Sequence, residues 1–406
     1  MITKKVILLL GASSDQLFAI KTAKEMGLHT IVVDGDKLAP GFSLSDEHFV
    51  ISTRDIDALK CFVDEYQQKR KIDAVSVMGS DIPQYVAELA AYIGVPHIPI
   101  ESALLTTNKL AMKKHFLAHS IPIPWFSEVD DFQHLLSIID ERGLPIIIKP
   151  LDRSGARGVF LIKEVKNLEN LYNRSKELSF CKKVMAEEYL PGVQISTESI
   201  ICDGVVHTPG FVDRNYEMLD ILSPNIIENG GWQPSSLDKE KRNEIESLIA
   251  SIAKSLGIEN GVIKGDIVYT TDGAKVIEVA TRLSGGDFSE SLIPLGLGVN
   301  YVKTAFEIAL GIQANLDALT PKNNVFVANR YFFPKSGVLQ KIDGIDDVKA
   351  KDFVKKLTFK YKPGEVIPEI TDHSQRAGLF IVVADNKDEL ESRIKWVYDS
   401  IVFHIA

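Results

Sequence analysis

The first hundred residues alternate between two hydrophobic periods. "KVILLLGA" is a short continuous apolar run ahead of a glycine, which reads as a buried strand. "SDQLFAIKTAKEMG" spaces its apolar residues as a helix does and closes at Gly27. "HTIVVDGD" and "IDAVSVMGSD" repeat the strand pattern. Alternation of this kind predicts a parallel sheet covered by helices, hence an α/β fold. "MGSDIPQYVAELAAYIGVPHIP" adds a helix with a proline-rich exit, so the N-terminal domain is expected to span 1–105.

Beyond that boundary the pattern changes to mixed α+β. "TTNKLAMKKHFLAHSIPIP" predicts a helix capped by Thr107 or Asn108 and stopped by Ile-Pro-Ile-Pro. "VIKGDIVYTTDGAKVIEVA" predicts two antiparallel strands, with Asp-Gly in "TTDGA" as the hairpin signal. Counting outward from that turn brings Asp266 roughly opposite Glu278. The last segment mixes strands such as "GLFIVVAD" with the helical pattern "NKDELESRIKWVYDSI". The expected division is therefore 1–105, 106–315 and a small α+β domain at 316–406, with a mobile glycine-rich loop at about 150–160.

Composition narrows the classes. A chain of 406 residues suits two or three domains, and 45% hydrophobic with 25% charged residues is ordinary for a globular protein. No apolar run approaches the roughly 20 residues that span a bilayer. The N-terminal apolar run is short and leads into a turn, so a strand and a cytoplasmic location are expected rather than a signal peptide. A net charge of -9 without a basic cluster argues against a nucleic-acid partner. Cys61, Cys181 and Cys202 lie too far apart for a disulfide framework or zinc spacing and are expected to be buried free thiols. The turn after the first strand, Gly-Ala-Ser-Ser-Asp, lacks the other glycines of a dinucleotide fingerprint. Its backbone N–H groups remain candidates for an anion.

The chemistry concentrates later. Lys149 ends a run of three isoleucines, and a lysine there is costly unless an anion meets it. The following "DRSGARGV" has the composition of a loop that folds over phosphates. Lys109 sits in the first turn of its helix, where a cation opposes the dipole, whereas Lys113 and Lys114 read as a solvated face. "EEYLPGVQ" joins two acids to an extended connector whose backbone can pair with an adenine edge. Asp266 and Glu278, facing one another, supply the carboxylates that Mg²⁺ takes beside phosphate oxygens. Arg282 lies four residues past Glu278, so a continued strand returns it to the same face, where a guanidinium suits developing phosphoryl charge. Ser284, Gly285 and Gly286 make a turn whose N–H groups suit a carboxylate or acyl phosphate.

In this order, Lys109, Lys149, the Ser-Gly-Ala-Arg-Gly loop, "EEYLPG", "KGDIVYT" and "IEVATRLSGGD" resemble the ATP-grasp superfamily of carboxylate–amine ligases. Within it the chain looks most like L-amino acid ligases and related dipeptide-forming enzymes. The resemblance implies ATP with Mg²⁺ or Mn²⁺, bound between two α+β subdomains. It implies that Lys109 and Lys149 contact phosphates, that Ser154, Gly155 and Gly158 lie in the flexible loop, and that Glu187, Glu188, Tyr189 and Leu190 form the adenine hinge. Gln194 stands where many members carry a ribose-binding Glu, with Glu198 further along the strand as the second candidate. Asp266 and Glu278 become metal ligands, and Arg282 with Lys149 the catalytic cations. Arg214, Trp232, Arg330 and the Ser284–Gly286 turn are the substrate candidates. The implied reaction is ADP-forming: a small-molecule carboxylate is phosphorylated and an amine attacks the acyl phosphate. A homodimer is the implied assembly. An ATP-grasp carboxylase or phosphotransferase and a non-catalytic nucleotide-binding regulator are the alternatives.

Overall fold

The computed structural model describes residues 4–406. The N-terminal strands β1 (Val6–Leu10), β2 (His29–Asp34), β3 (Glu47–Val50) and β4 (Ala74–Ser76) form a parallel sheet in the order β3-β2-β1-β4. Every residue of β1 is buried, as expected of a strand covered on both faces. The turn after β1 is closed by its own side chains. Ala12 N–H donates to Asp34 at 2.8 Å and Ser13 N–H to Gln16 at 2.8 Å, so two of the N–H groups expected to be open to an anion are already used.

Four further strands, β5 (Phe126–Val129), β6 (Ile146–Pro150), β7 (Phe160–Ile162) and β8 (Val184–Glu188), form an antiparallel sheet in the order β5-β8-β6-β7. Strand alternation divides its faces. Ile146, Ile148, Phe160, Ile162, Val184 and Ala186 pack with Leu135 and Ile138 of helix Phe132–Arg142 and Leu168 and Leu171 of helix Leu168–Leu178. The opposite face carries Lys149, Met185 and Glu187. We call this unit the clamp.

The third sheet holds eight strands: β9 (Val193–Cys202), β10 (Val205–Arg214), β11 (Gly231–Gln233), β12 (Gly261–Thr270), β13 (Gly273–Ala280) and β14 (Phe326–Tyr331), then, past β15 (Gly337–Asp343), β16 (Val354–Phe359) and, past β17 (Val366–Ile367), β18 (Gly378–Ala384). Its order is β13-β12-β9-β10-β11-β14-β18-β16. The expected boundary near residue 316 therefore does not interrupt the sheet, because β14 pairs directly with β11. Only β15, β17 and β19 (Val402–Ile405) form a separate small sheet. One face of the large sheet packs Ile195, Ile263 and Val276 on Ile245 and Ile249 of helix Lys239–Ser255. The other face shares a core with the N-terminal domain, since Ile200, Val212, Val327 and Ile381 cluster with Leu283, Tyr301, Ile7, Leu9 and Ile20.

No helix among the described residues is long and apolar enough to cross a membrane. The three cysteines are free, but Cys61 and Cys181 are exposed and Cys202 is half-buried. Cys61 lies on the outer side of a surface helix, Ile56–Gln67, and Cys181 in the loop before β8, which explains why burial was wrongly expected of small apolar thiols.

Candidate active site

The cleft lies between the polar face of the clamp and the face of the large sheet that carries Ser196, Asp266 and Glu278. Asn108 caps helix Lys109–Ala118, its side chain accepting from Ala111 N–H at 3.0 Å, and this fixes Lys109 in the first turn. One turn later Lys113 is fully buried, contrary to the solvated face expected of it, while Lys114 is exposed. Lys113 and Lys149 both pair with the buried Glu187. Lys113 also donates to the Val276 carbonyl at 3.3 Å on β13. Burial, then the neighbouring Lys149 charge, brings Lys113 down to about 8 despite Glu187. Glu187 in turn is held below its ordinary value: burial opposes this, and Lys113 and Lys149 outweigh it. Glu187 thus anchors the lysines within the cleft instead of facing the adenine hinge, because it alternates with Glu188 across the strand.

Glu188 ties the hinge together. Its N–H donates to Trp125 O at 3.0 Å, its carboxylate accepts from Trp125 N–H at 3.2 Å, and Lys275 lies 3.5 Å away. Tyr189 and Leu190 follow outside any strand, and their backbone groups form no hydrogen bond among the described residues. At Gly192 the chain passes so close to β12 that an added Cβ would lie 2.2 Å from Tyr269 O. Pro122 O accepts from Val276 N–H at 2.9 Å where the chain first crosses into the clamp. Gln194 sits at the start of β9, paired in register with Val268.

Asp266 and Glu278 are cross-strand partners; the register set at the turn pairs Ile267 with Val276, and a bulge immediately after that pair brings Glu278 opposite Asp266. Lys109 pairs with Glu278 at 2.7 Å, and Arg214 with Asp266 at 2.8 Å. Lys264, two residues before Asp266 on the same face, also pairs with it. Arg214 additionally holds the buried Glu228. Burial works against the charge on Glu278, but Lys109 and then Lys149 drive it well below the usual carboxylate range. Burial likewise opposes the charge on Lys109, and Glu278 and Asp81 hold it above the ordinary lysine value.

Among the described residues no cluster of three or more His, Cys, Asp or Glu side chains is arranged to hold a metal alone. Two facing carboxylates are nevertheless the protein share that Mg²⁺ takes when phosphate oxygens and water complete its shell. The donor set of Asp266 and Glu278 fits that ion.

Arg282 follows the end of β13 and turns toward the N-terminal domain. Its Nε and Nη2 donate to one oxygen of Asp81 at 2.9 and 2.6 Å. Leu283 forms a parallel bridge with Met78, and Gly79 N–H donates to Leu283 O at 3.0 Å. The two backbones then touch, since a Cβ on Gly285 would lie 2.9 Å from Gly79 Cα. The N–H groups of Ser284, Gly285 and Gly286 form no backbone hydrogen bond among the described residues.

Glu198 does not join the hinge. It is buried on β9, accepts from the Tyr301 hydroxyl at 2.5 Å, and is pushed above its ordinary value by burial. Four residues separate it from Gln194, and the strand carries it too far toward the core to reach a ribose at the connector. Arg330 and Trp232 also depart from expectation. Asn329 donates to Gly286 O at 3.3 Å from one face of β14, so Arg330 lies on the other face. Trp232 sits beside Ala328 in register, on that same far face.

The loop at 151–159 contains Gly155, Ala156 and Gly158 at φ of +68°, +60° and +72°, a conformation that turns successive N–H groups to one side. Ser154 is exposed within it. The C-terminal segment reaches this loop: His373 N–H donates to Gly155 O at 3.2 Å, and His373 Nε2 accepts from Glu228 N–H at 3.2 Å. Arg376 lies 3.4 Å over the Tyr331 ring and donates to Glu228 O at 3.1 Å. Asp81, Glu228, Lys264, His373 and Arg376 had not been singled out from sequence, and Lys113 had been read only as a solvated lysine. Only Lys264 carried a signal, its two-residue spacing from Asp266 on a strand.

Residues 106–286 match the family described as ATP-grasp domain. Residues 330–406 match the family described as L-amino acid ligase C-terminal domain 2. The L-arginine-specific L-amino acid ligase of Bacillus subtilis is 24% identical over 324 residues, covering 78% of this chain and 76% of the relative. Phosphoribosylamine–glycine ligase of Methanococcus vannielii is 26% identical over 341 residues, covering 77% and 74%. The crystal structure of L-amino acid ligase from Bacillus licheniformis superposes with a TM-score of 0.84 at 18% identity, over 100% of both chains.

Proposed function

We propose that this chain is an ATP-dependent, ADP-forming ligase that joins a small carboxylate to an amine through an acyl phosphate, with amino acids as the substrate class. The observation that carries the reading is the meeting of Asp266 and Glu278 across one hairpin with Arg282 just past its second strand and with Lys109 and Lys149 from two other parts of the chain. Pure nucleotide binding does not require that convergence. The named ligases of Bacillus support amino acids as substrates.

ATP enters with its adenine edge against the free backbone of Tyr189 and Leu190 and its ribose toward Gln194. Asp266 and Glu278 would hold Mg²⁺, which when bound neutralises phosphate charge. Lys109 and Lys149 exchange their present carboxylate partners for phosphate oxygens. Arg282, oriented by Asp81, stabilises the charge that develops as the terminal phosphoryl group passes to the substrate carboxylate. The Ser284–Gly286 N–H groups hold that carboxylate in line. Residues 152–158 close over the phosphates and exclude water, so the amine rather than water meets the acyl phosphate. A cytoplasmic homodimer is the assembly that the resemblance favours.

The test is coupled-assay ADP release with Mg²⁺, using pooled amino acids with and without a second amine. ADP formation that needs both partners and stops with chelator supports the ligase. ADP formation with a single carboxylate and a stable phosphorylated product would establish a phosphotransferase instead.

A further inference from the structure

A second polar cavity lies on the far side of the sheet. Ala328 and Arg330 share the face of β14 that helix Lys387–Ser400 covers, and Phe332 just past the strand joins the same core. Between the two is a cavity of about 490 Å³ whose walls include Arg330, Asn215, Trp232, Leu390 and Ile394, with Lys387 and Lys395 from the helix. It is separated from the Asp266–Glu278 pair by the sheet itself.

Arg330 is only 6% exposed. Its Nη1 donates to Gly231 O at 3.0 Å and Asn329 O at 2.8 Å, yet its Nε has no partner, and among the described residues no carboxylate pairs with it. Asn215 is 7% exposed; its oxygen accepts from Glu217 N–H at 3.0 Å, while its Nδ2 has no partner. Buried donors are normally satisfied, and a guanidinium stays charged. Both orphaned groups line one cavity and both are donors, so the missing partner is an acceptor.

The surroundings define its character. Lys387 lies 3.9 Å from Glu391, Lys395 pairs with Asp399 at 2.5 Å and Glu217 accepts from Asn229 at 2.6 Å, so among the charged groups lining the cavity Arg330 is the cation without a carboxylate partner. Trp232 offers a ring with Arg330 5.6 Å and Lys387 6.0 Å from its centre, and Leu390 and Ile394 extend the apolar wall.

We propose that this cavity binds a small organic carboxylate, its anion taking the Arg330 and Asn215 donors and its apolar body lying on Trp232, Leu390 and Ile394. The site is additional to the ligase centre and does not rest on the reaction proposed for it. Its nearest link to that centre is covalent, since Asn215 directly follows Arg214.

The full-length chain carrying Trp125→Phe and Trp396→Phe leaves Trp232 as its one indole. Its fluorescence is followed while 3-phenylpropanoate, the neutral 3-phenylpropanamide or inorganic phosphate is added. A saturable response to the carboxylate and none to the amide is expected. Arg330→Met should weaken binding at least about tenfold, the worth of one charge-assisted hydrogen bond. If that variant fails to fold, Lys387→Gln with Lys395→Gln, both exposed, should weaken binding several-fold and flatten its salt dependence. No saturable response, an equal response to the amide, or affinity unchanged in the folded variants overturns the site. Saturation by phosphate with 3-phenylpropanoate inert overturns the assignment to an organic carboxylate.

Discussion

Asp81 fixes Arg282 from 201 residues away, through two hydrogen bonds to a single oxygen. Asp81→Asn keeps the shape but removes the charge that orients the guanidinium. Turnover should fall roughly ten- to hundredfold with ATP affinity little changed, as a kcat against KM comparison will show. Lys113 gives a pH signature. Its folded value of about 8 lies below the roughly 10.4 of a free lysine, so between these values the unfolded chain holds more protons. Raising the pH through that window therefore favours the fold. Urea titrations from pH 7.5 to 10 should show wild type gaining stability relative to Lys113→Met. A short hairpin made Asp266 and Glu278 legible as neighbours, whereas the continued strand expected to carry Arg282 stops at Ala280, and Asp81 orients the guanidinium instead. Lys113 was misread because its position on the helix says nothing of Glu187, which arrives 74 residues later from β8. Arg330 and Trp232 were misread for a related reason: residue type suggested a substrate contact, but only the pairing of β11 with β14 decides the face.

At the scale of elements, Asp-Gly made β12 and β13 readable as a hairpin, but the turn residues are Thr271 and Asp272, with Gly273 already paired to Thr270, and a bulge rather than the turn brings Glu278 opposite Asp266. The bulge after Asp266 was not readable, because no residue type demands it. The hinge depends on Gly192, which adopts φ +152° with Tyr269 O where a Cβ would stand. Gly192→Ala should lower stability by about 1–3 kcal/mol and weaken ATP binding, measured by urea unfolding and by nucleotide titration. Restored wild-type affinity in that variant would mean that the connector position does not govern the adenine site.

At the scale of the molecule, the parallel and antiparallel layers were anticipated, whereas the pairing of β14 with β11 across the expected boundary was not. Hydrophobic pattern identifies β14 and β18 as strands without naming their neighbours. With β16 they supply three of the eight strands of one sheet, and Val327 and Ile381 join its core. A chain ending at residue 315 should consequently aggregate, leaving β11 as an open edge, whereas the full chain should sediment as a defined species. The clamp is different. The chain enters and leaves it at two crossings that the Trp125–Glu188 hydrogen bonds hold side by side, each against the neighbouring hairpin. Leu161 N–H on Pro224 O at 2.8 Å and His373 N–H on Gly155 O at 3.2 Å are contacts away from them that opening must release. Two adjacent pivots define a line, so opening reduces to one angle about it. Cys181 rides on the clamp and Cys61 on the N-terminal domain, both exposed, and provide native handles for that angle. With Cys202→Ser and spin labels on the remaining pair, an ATP analogue should shift a single interlabel distance without broadening it; a spread of distances would mean that the jaw twists as well as swings.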